Sequence, residues 1–174
     1  MNYKILLPLF SLLFLSGCSS YNIPKVPIPE PISSDTQMVF TYNFDVPSTK
    51  KSLLWKRARD YFAGSYGDFR SVFSVMDKED GTLIGNAVTN WYLFSGTPYV
   101  AKCSTKYHVR FVANNNKARL QLEIINGAPA TSGCGWDLPT EKGYKKIVGS
   151  FALNAKAVEK ALNGEGASNT FKIL

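Results

Sequence analysis

The stretch CSTKYHVRFVANNNKARLQLEI, residues 103–124, holds two runs of alternating polarity around three asparagines. In the first run Cys103, Thr105, Tyr107, Val109 and Phe111 share one parity, and Ser104, Lys106, His108 and Arg110 share the other. In the second, Ala118, Leu120, Leu122 and Ile124 alternate with Lys117, Arg119, Gln121 and Glu123. A period of two places successive side chains on opposite faces of a strand. Asn114-Asn115-Asn116 suits the reversal because asparagine tolerates left-handed backbone angles. The stretch therefore reads as a β-hairpin with one core face and one wet face, the signature of an antiparallel sheet covered on a single side.

Upstream, Phe69 to Asp77 and Thr82 to Tyr92 are β-rich runs joined by Lys78-Glu79-Asp80-Gly81, where Asp80-Gly81 is a strong hairpin signal. Further back, Met38, Phe40, Tyr42, Phe44 and Val46 alternate with polar residues and predict a strand that Pro47 ends. Ser48 is the expected N-cap of a following helix. In that helix Leu54, Ala58, Tyr61 and Phe62 form one apolar stripe, while Lys50, Lys51, Lys56, Arg57 and Arg59 give a basic outer side. Downstream, Asn126 to Lys146 reads as a long connection carrying Cys134 and Trp136. A second helix is expected from about Ser150, with Phe151, Ala155, Val158 and Leu162 inward and Asn163-Gly164 as its stop. The order β-α-β-β-β-β-α predicts an α+β domain over residues 38–164: an antiparallel sheet of about five strands with two helices on one face, then a frayed tail at 165–174.

The core from Val39 to Ile125 resembles a bacterial family of domains of unknown function described as having a TATA-binding-protein-like fold. The resemblance rests on the strand ending in Val46-Pro47, on Leu54-Trp55 and Arg57-Ala58 in the helix, and above all on Met76-Asp77-Lys78-Glu79-Asp80-Gly81-Thr82-Leu83-Ile84-Gly85. It implies the fold and carries no activity with it. The cysteine-bearing connection after residue 125 departs from the family pattern.

The N-terminus reads as an address. Met1 to Lys4 supplies one positive charge, Ile5 to Leu15 is largely apolar, and Ser16 and Gly17 are small, so residues 1–17 read as a signal peptide. The run is too short to span a bilayer, which takes about 20 apolar residues. Leu15-Ser16-Gly17-Cys18 resembles the bacterial lipobox, which implies cleavage before Cys18 and acylation of its sulfur and amino group. Several acyl chains, each worth about 0.8 kcal/mol per buried methylene, suffice for stable anchoring. Ser19, where enteric-type bacteria use aspartate for inner-membrane retention, directs the expectation to the outer membrane, facing the periplasm. Residues 18–37 carry Pro24, Pro27, Pro29 and Pro31 and read as an extended tether. From Asn22 to Gln37 it would reach about 50 Å at about 3.1 Å per residue.

Removal of residues 1–17 leaves 157 residues, enough for one domain, and lowers the formal charge from +7 to +6 because only Lys4 is lost. A basic exterior favours anionic partners: lipid headgroups, lipopolysaccharide phosphates or acidic proteins. An exported chain rarely meets nucleic acid, so none is expected. Two cysteines remain, Cys103 and Cys134, and an even pair in an oxidising compartment reads as a disulfide. The competing reading, a nucleophilic thiol, needs a base, and His108 is the only histidine.

The residues offer little catalytic chemistry. His108 falls on the wet face beside Lys106 and Arg110 and reads as a surface strand residue. No histidine, cysteine and carboxylate set has metal-site spacing, and the acidic turn Asp77, Glu79 and Asp80 lacks the regular ligands of a calcium loop. Neither a metal nor a cofactor is expected. Two candidate interaction surfaces remain. Trp91, Tyr92, Phe94 and Tyr99 crowd a hairpin end around Gly96 and Pro98, where they either project as an apolar patch or fold under and extend the core. Lys106, Arg110, Lys117 and Arg119 make a basic wet face. The expectation is a non-enzymatic outer-membrane lipoprotein, attached through its lipid, that binds an envelope protein or anionic component through one of these surfaces. An envelope-acting enzyme centred on His108 or the acidic turn is the alternative. An inhibitor of a foreign protein is a further one, disfavoured by the +6 charge because lysozyme-like targets are themselves basic.

Overall fold

The structure, a computed structural model, describes residues 29–94 and 100–165. Its strands are β1 (Val39–Asp45), β2 (Phe73–Asp77), β3 (Thr82–Leu93), β4 (Ala101–Asn114) and β5 (Lys117–Ile124); its helices are α1 (Lys51–Ser65), the single turn α2 (Phe69–Val72) and α3 (Glu141–Leu162). The strands form one antiparallel sheet in the order β1-β5-β4-β3-β2. The 103–124 hairpin sits at its centre, with Tyr107 opposite Ile124 and Phe111 opposite Leu120. Those residues point to one face, and both long helices lie on it. Phe62 of α1 meets Phe73 and Phe111 at centroid distances of 5.2 and 6.2 Å, and Phe151 of α3 meets Tyr107 and Phe40 at 5.0 and 5.8 Å. Each such ring, fully buried, is worth about 1.5–3 kcal/mol over exposure. None of the described helices lies over the opposite face.

Helix α1 starts differently from the sequence expectation. Ser48 is not its N-cap: that residue has φ 60°, and the helix begins after Lys50, whose side chain caps nothing. The first free amide is met from the β4–β5 turn, where Asn115 Oδ1 accepts from Lys51 N at 3.0 Å, and Asn116 Oδ1 accepts from Thr49 N, just before the helix, at 3.1 Å. The Asn114-Asn115-Asn116 turn thus reverses the chain and caps a helix at once. Phe69–Val72, expected as strand, is helical because Asp68 accepts from Ser71 N at 3.2 Å and closes the turn.

The largest difference lies after β5. Helix α3 begins at Glu141 rather than near Ser150, capped by Thr140 Oγ1 accepting from Gly143 N at 3.3 Å. Gly143 belongs inside the helix for a steric reason: a Cβ there would lie 2.6 Å from the Trp91 indole. The absent side chain is what lets α3 settle on that ring.

The true connection, 125–140, has a structural role. β4 pairs with β5 only from Tyr107 onward, so its first residues would otherwise expose an edge. Ile125 N donates to Lys106 O at 3.1 Å, Ser132 Oγ accepts from Ser104 N at 3.1 Å, and Gly133 N donates to Lys102 O at 3.0 Å. A Cys103–Cys134 disulfide, Cα–Cα 5.1 Å, fastens the segment to the strand.

The last residues of the expected tether are also engaged. Pro31 forms an isolated bridge with Thr140, Ile32 N donates to Pro139 O at 2.9 Å, and the Tyr144 hydroxyl donates to Gln37 O at 2.8 Å. Residues 31–37 therefore lie against the domain. The expected signal peptide (1–17), Cys18 and the first part of the tether lie outside the described residues, as do residues 166–174.

Candidate functional site

The uncovered face of the sheet gathers the basic residues named from sequence. Register places Arg110 opposite Gln121, Arg119 opposite Val112, and Lys117 opposite Asn114. Arg110 and Arg119 are diagonal neighbours and Lys117 follows Arg119 on the same face of β5, so no two of these cations stand directly opposite one another. Arg119 Nε donates to Asn43 Oδ1 of β1 at 2.9 Å, which orients its guanidinium along the sheet. Asn43, Asp45, Arg110, Lys117, Arg119 and Gln121 border a shallow depression of about 500 Å³. A second depression of about 330 Å³ adjoins it, sharing Arg110 and Gln121 and adding Ile84, His108 and Glu123. Lys106 sits on the same face beyond the end of β5, half-buried.

His108 has a neighbour that sequence alone did not place. Glu123 stands directly across from it, with Nδ1 and the carboxylate 3.8 Å apart. Both side chains are well exposed. Asp77, in the acidic turn, accepts from Asp80 N at 2.9 Å and stabilises the Asp80-Gly81 reversal, where Gly81 has φ 77°. Among the described residues no three histidine, cysteine, aspartate or glutamate side chains cluster as metal ligands would.

The aromatic group divides by strand parity. Trp91 is 2% exposed, donates Nε1–H to Thr105 Oγ1 at 3.0 Å and stacks on Trp136 at 6.3 Å. It belongs to the core, which removes it from the candidate interaction surface. Tyr92, one residue on, is 44% exposed on the uncovered face. Phe94 has φ 55° and packs partly buried against the core. Tyr99 lies outside the described residues. The signal that places Trp91 inward is present in the sequence: Leu83, Ala87 and Trp91 share one parity along β3.

Sequence reasoning missed a buried polar cluster under the helices. The Tyr66 and Tyr107 hydroxyls lie 3.0 Å apart, and the Tyr61 hydroxyl donates to Asn154 Oδ1 at 3.0 Å. Burial pushes the Tyr107 phenol far above its ordinary range, reinforced by Tyr66, and burial likewise raises Tyr66. Tyr66 and Tyr107 stay neutral, and the cluster ties α1 to the sheet and to α3.

A five-stranded antiparallel sheet with its helices on one face defines an α+β domain of the TBP-like class. Residues 40–127 match the sequence model of the domain of unknown function DUF4468 with TBP-like fold, and the chain belongs to that family. Among solved structures it is similar to a DUF4468 family protein from Bacteroides ovatus, at 13% identity and a TM-score of 0.56, over 80% of this chain and 93% of that one. It is also similar to a TBP-like protein from Parabacteroides distasonis, at 15% identity and a TM-score of 0.48, over 70% and 92% of the two chains. At such identity the first likeness speaks to fold alone. No curated protein matches the chain.

Proposed function

We propose that this chain is a non-enzymatic lipoprotein of the bacterial outer membrane, held by acyl groups on Cys18, whose domain binds an anionic envelope component through the uncovered face of its sheet. The observation that carries the binding part is the asymmetry of the sheet. One face is sealed by α1 and α3, while the other presents Arg110, Lys117 and Arg119 around two adjoining depressions, with Lys106 beyond them. Lys106, Arg110 and Lys117 make no ion pair among the described residues. Exposed cations of this kind attract an anion by long-range steering, and such attraction weakens as salt shortens the Debye length. The Leu15-Ser16-Gly17-Cys18 motif supports the anchor, and the Cys103–Cys134 bridge fits an oxidising compartment.

Two measurements test the parts separately. Radioactive palmitate should label the wild type and leave Cys18→Ala unlabelled; an unlabelled wild type refutes the anchor. Co-sedimentation of the full chain with lipopolysaccharide should fall at least tenfold when Arg110, Lys117 and Arg119 are all changed to Glu, and should weaken as salt rises. Retention indifferent to both changes refutes the face.

A further inference from the structure

The β3–β4 hairpin projects past β5 on one side and past β2 on the other, and its two exposed edges are treated differently. The β4 edge is sealed at Lys102, Ser104 and Lys106 by the 125–134 segment and the disulfide. The matching β3 edge is Val88 to Tyr92. β2 pairs with β3 only from Thr82 to Gly85, and the chain before β2 turns aside into α2.

Backbone polarity along β3 can be read from its bonds. Gly81 O accepts from Ala113 N on the β4 side, whereas Ile84 O accepts from Ser74 Oγ on the β2 side. Successive strand residues aim their amides and carbonyls to alternate sides. Val88, Asn90 and Tyr92 therefore direct N–H and C=O away from β4, with no backbone partner among the described residues. All three residues are exposed, Val88 at 48%.

Open edges invite strand addition, and proteins usually guard them with charged side chains, proline, bulges or a covering segment. The sequence Asn86-Ala87-Val88-Thr89-Asn90-Trp91-Tyr92 has no charged residue, no proline and no glycine. By contrast β2, an outer strand, is 5 residues long with a register irregularity after Phe73. At the Tyr92 end a notch of about 120 Å³ is lined by Trp91, Tyr92, Lys142, Gly143 and Lys146. The nearby carboxylate of Glu141 is already held by Lys145 at 2.6 Å, and Lys146, which lines the notch, makes no ion pair among the described residues.

We propose that the β3 edge from Val88 to Tyr92 receives an extended, acidic polypeptide segment by strand addition. Backbone bonds form at Val88, Asn90 and Tyr92, and a carboxylate of the segment approaches Lys146. Such docking takes affinity from main-chain bonds and selectivity from neighbouring side chains. It uses none of the basic residues of the uncovered face and stands independently of that reading.

Hydrogen exchange of the isotopically labelled full chain, followed by NMR, tests this. The probe is a seven-residue peptide alternating glutamate and valine, with a lysine and valine counterpart as control. The glutamate peptide should slow exchange at Val88, Asn90 and Tyr92 at least tenfold, and the lysine peptide should not. Val88→Pro removes only an outward N–H, so it should keep the unfolding midpoint in urea and lose peptide affinity at least tenfold. Should that variant unfold, the wild-type exchange data still decide. The proposal is overturned if the glutamate peptide leaves those amides unchanged, if the lysine peptide protects them equally, or if they become protected with rising protein concentration alone, which would make a second copy the occupant.

Discussion

Two glycines of α3 meet opposite surroundings and should answer the same substitution with opposite signs. At Gly149 a Cβ would find nothing within 4 Å; at Gly143 it would lie 2.6 Å from two atoms of the Trp91 ring. Gly149→Ala should therefore stabilise by about 1 kcal/mol, the helix-propensity gain of alanine over glycine. Gly143→Ala gains at most the same, and must then displace an indole held by Thr105 on one side and Trp136 on the other. Overpacking of this kind costs about 1–3 kcal/mol. The difference between the variants isolates the clash, since propensity largely cancels, so Gly143→Ala should be the less stable of the two by about 1–3 kcal/mol. Urea unfolding followed by tryptophan fluorescence and by far-UV circular dichroism measures both. Equal midpoints for the two variants would refute the placement of Gly143 on Trp91, and with it the helix start at Glu141.

Three further outcomes are expected. Reduction of the Cys103–Cys134 bridge, whose cysteines are 31 residues apart, should lower stability by about 3–4 kcal/mol through the freedom returned to the unfolded chain; a urea titration with and without reductant checks this, and a loss below about 1 kcal/mol would contradict it. Asn115→Ala withdraws the acceptor of Lys51 N and should cost about 1 kcal/mol, whereas the exposed Lys78→Ala should shift the urea midpoint negligibly. Stability should also fall as pH rises above the ordinary tyrosine value of 10.0: the unfolded chain then loses phenolic protons that buried Tyr66 and Tyr107 retain in the native state, so deprotonation favours unfolding. Tyr107→Phe should flatten that alkaline decline in a pH series of urea midpoints, and an unchanged slope would contradict the cause given.

Local periodicity carried the sheet. Each alternating run became a strand, and the Asn114-Asn115-Asn116 and Asp80-Gly81 reversals lie where turn chemistry put them, because a half-buried strand writes its pairing face into every second residue. What escaped was settled by contacts distant in sequence. The first α1 amide is capped by an asparagine 64 residues away, and Ser48 is only the nearest residue of suitable type. The first turns of α3 read as connection, because the reason for a helical Gly143 stands across the core in Trp91. Two misses had local signals: Asp68 three residues before Ser71 marks a helical turn, and the shared parity of Leu83, Ala87 and Trp91 puts the indole inside. The basic face was legible as a set of residues, while the Glu123 carboxylate opposite His108 required the register.

The placement of β1 beside β5 governs the timing of folding. Val39 finds Glu123 only after roughly eighty further residues have been made. Until then Phe40, Tyr42 and Phe44 lack the strand that pairs with them. The central hairpin can close at once, but the sheet is completed last by its oldest segment. Any factor that escorts the nascent chain has its longest task at the beginning of the domain.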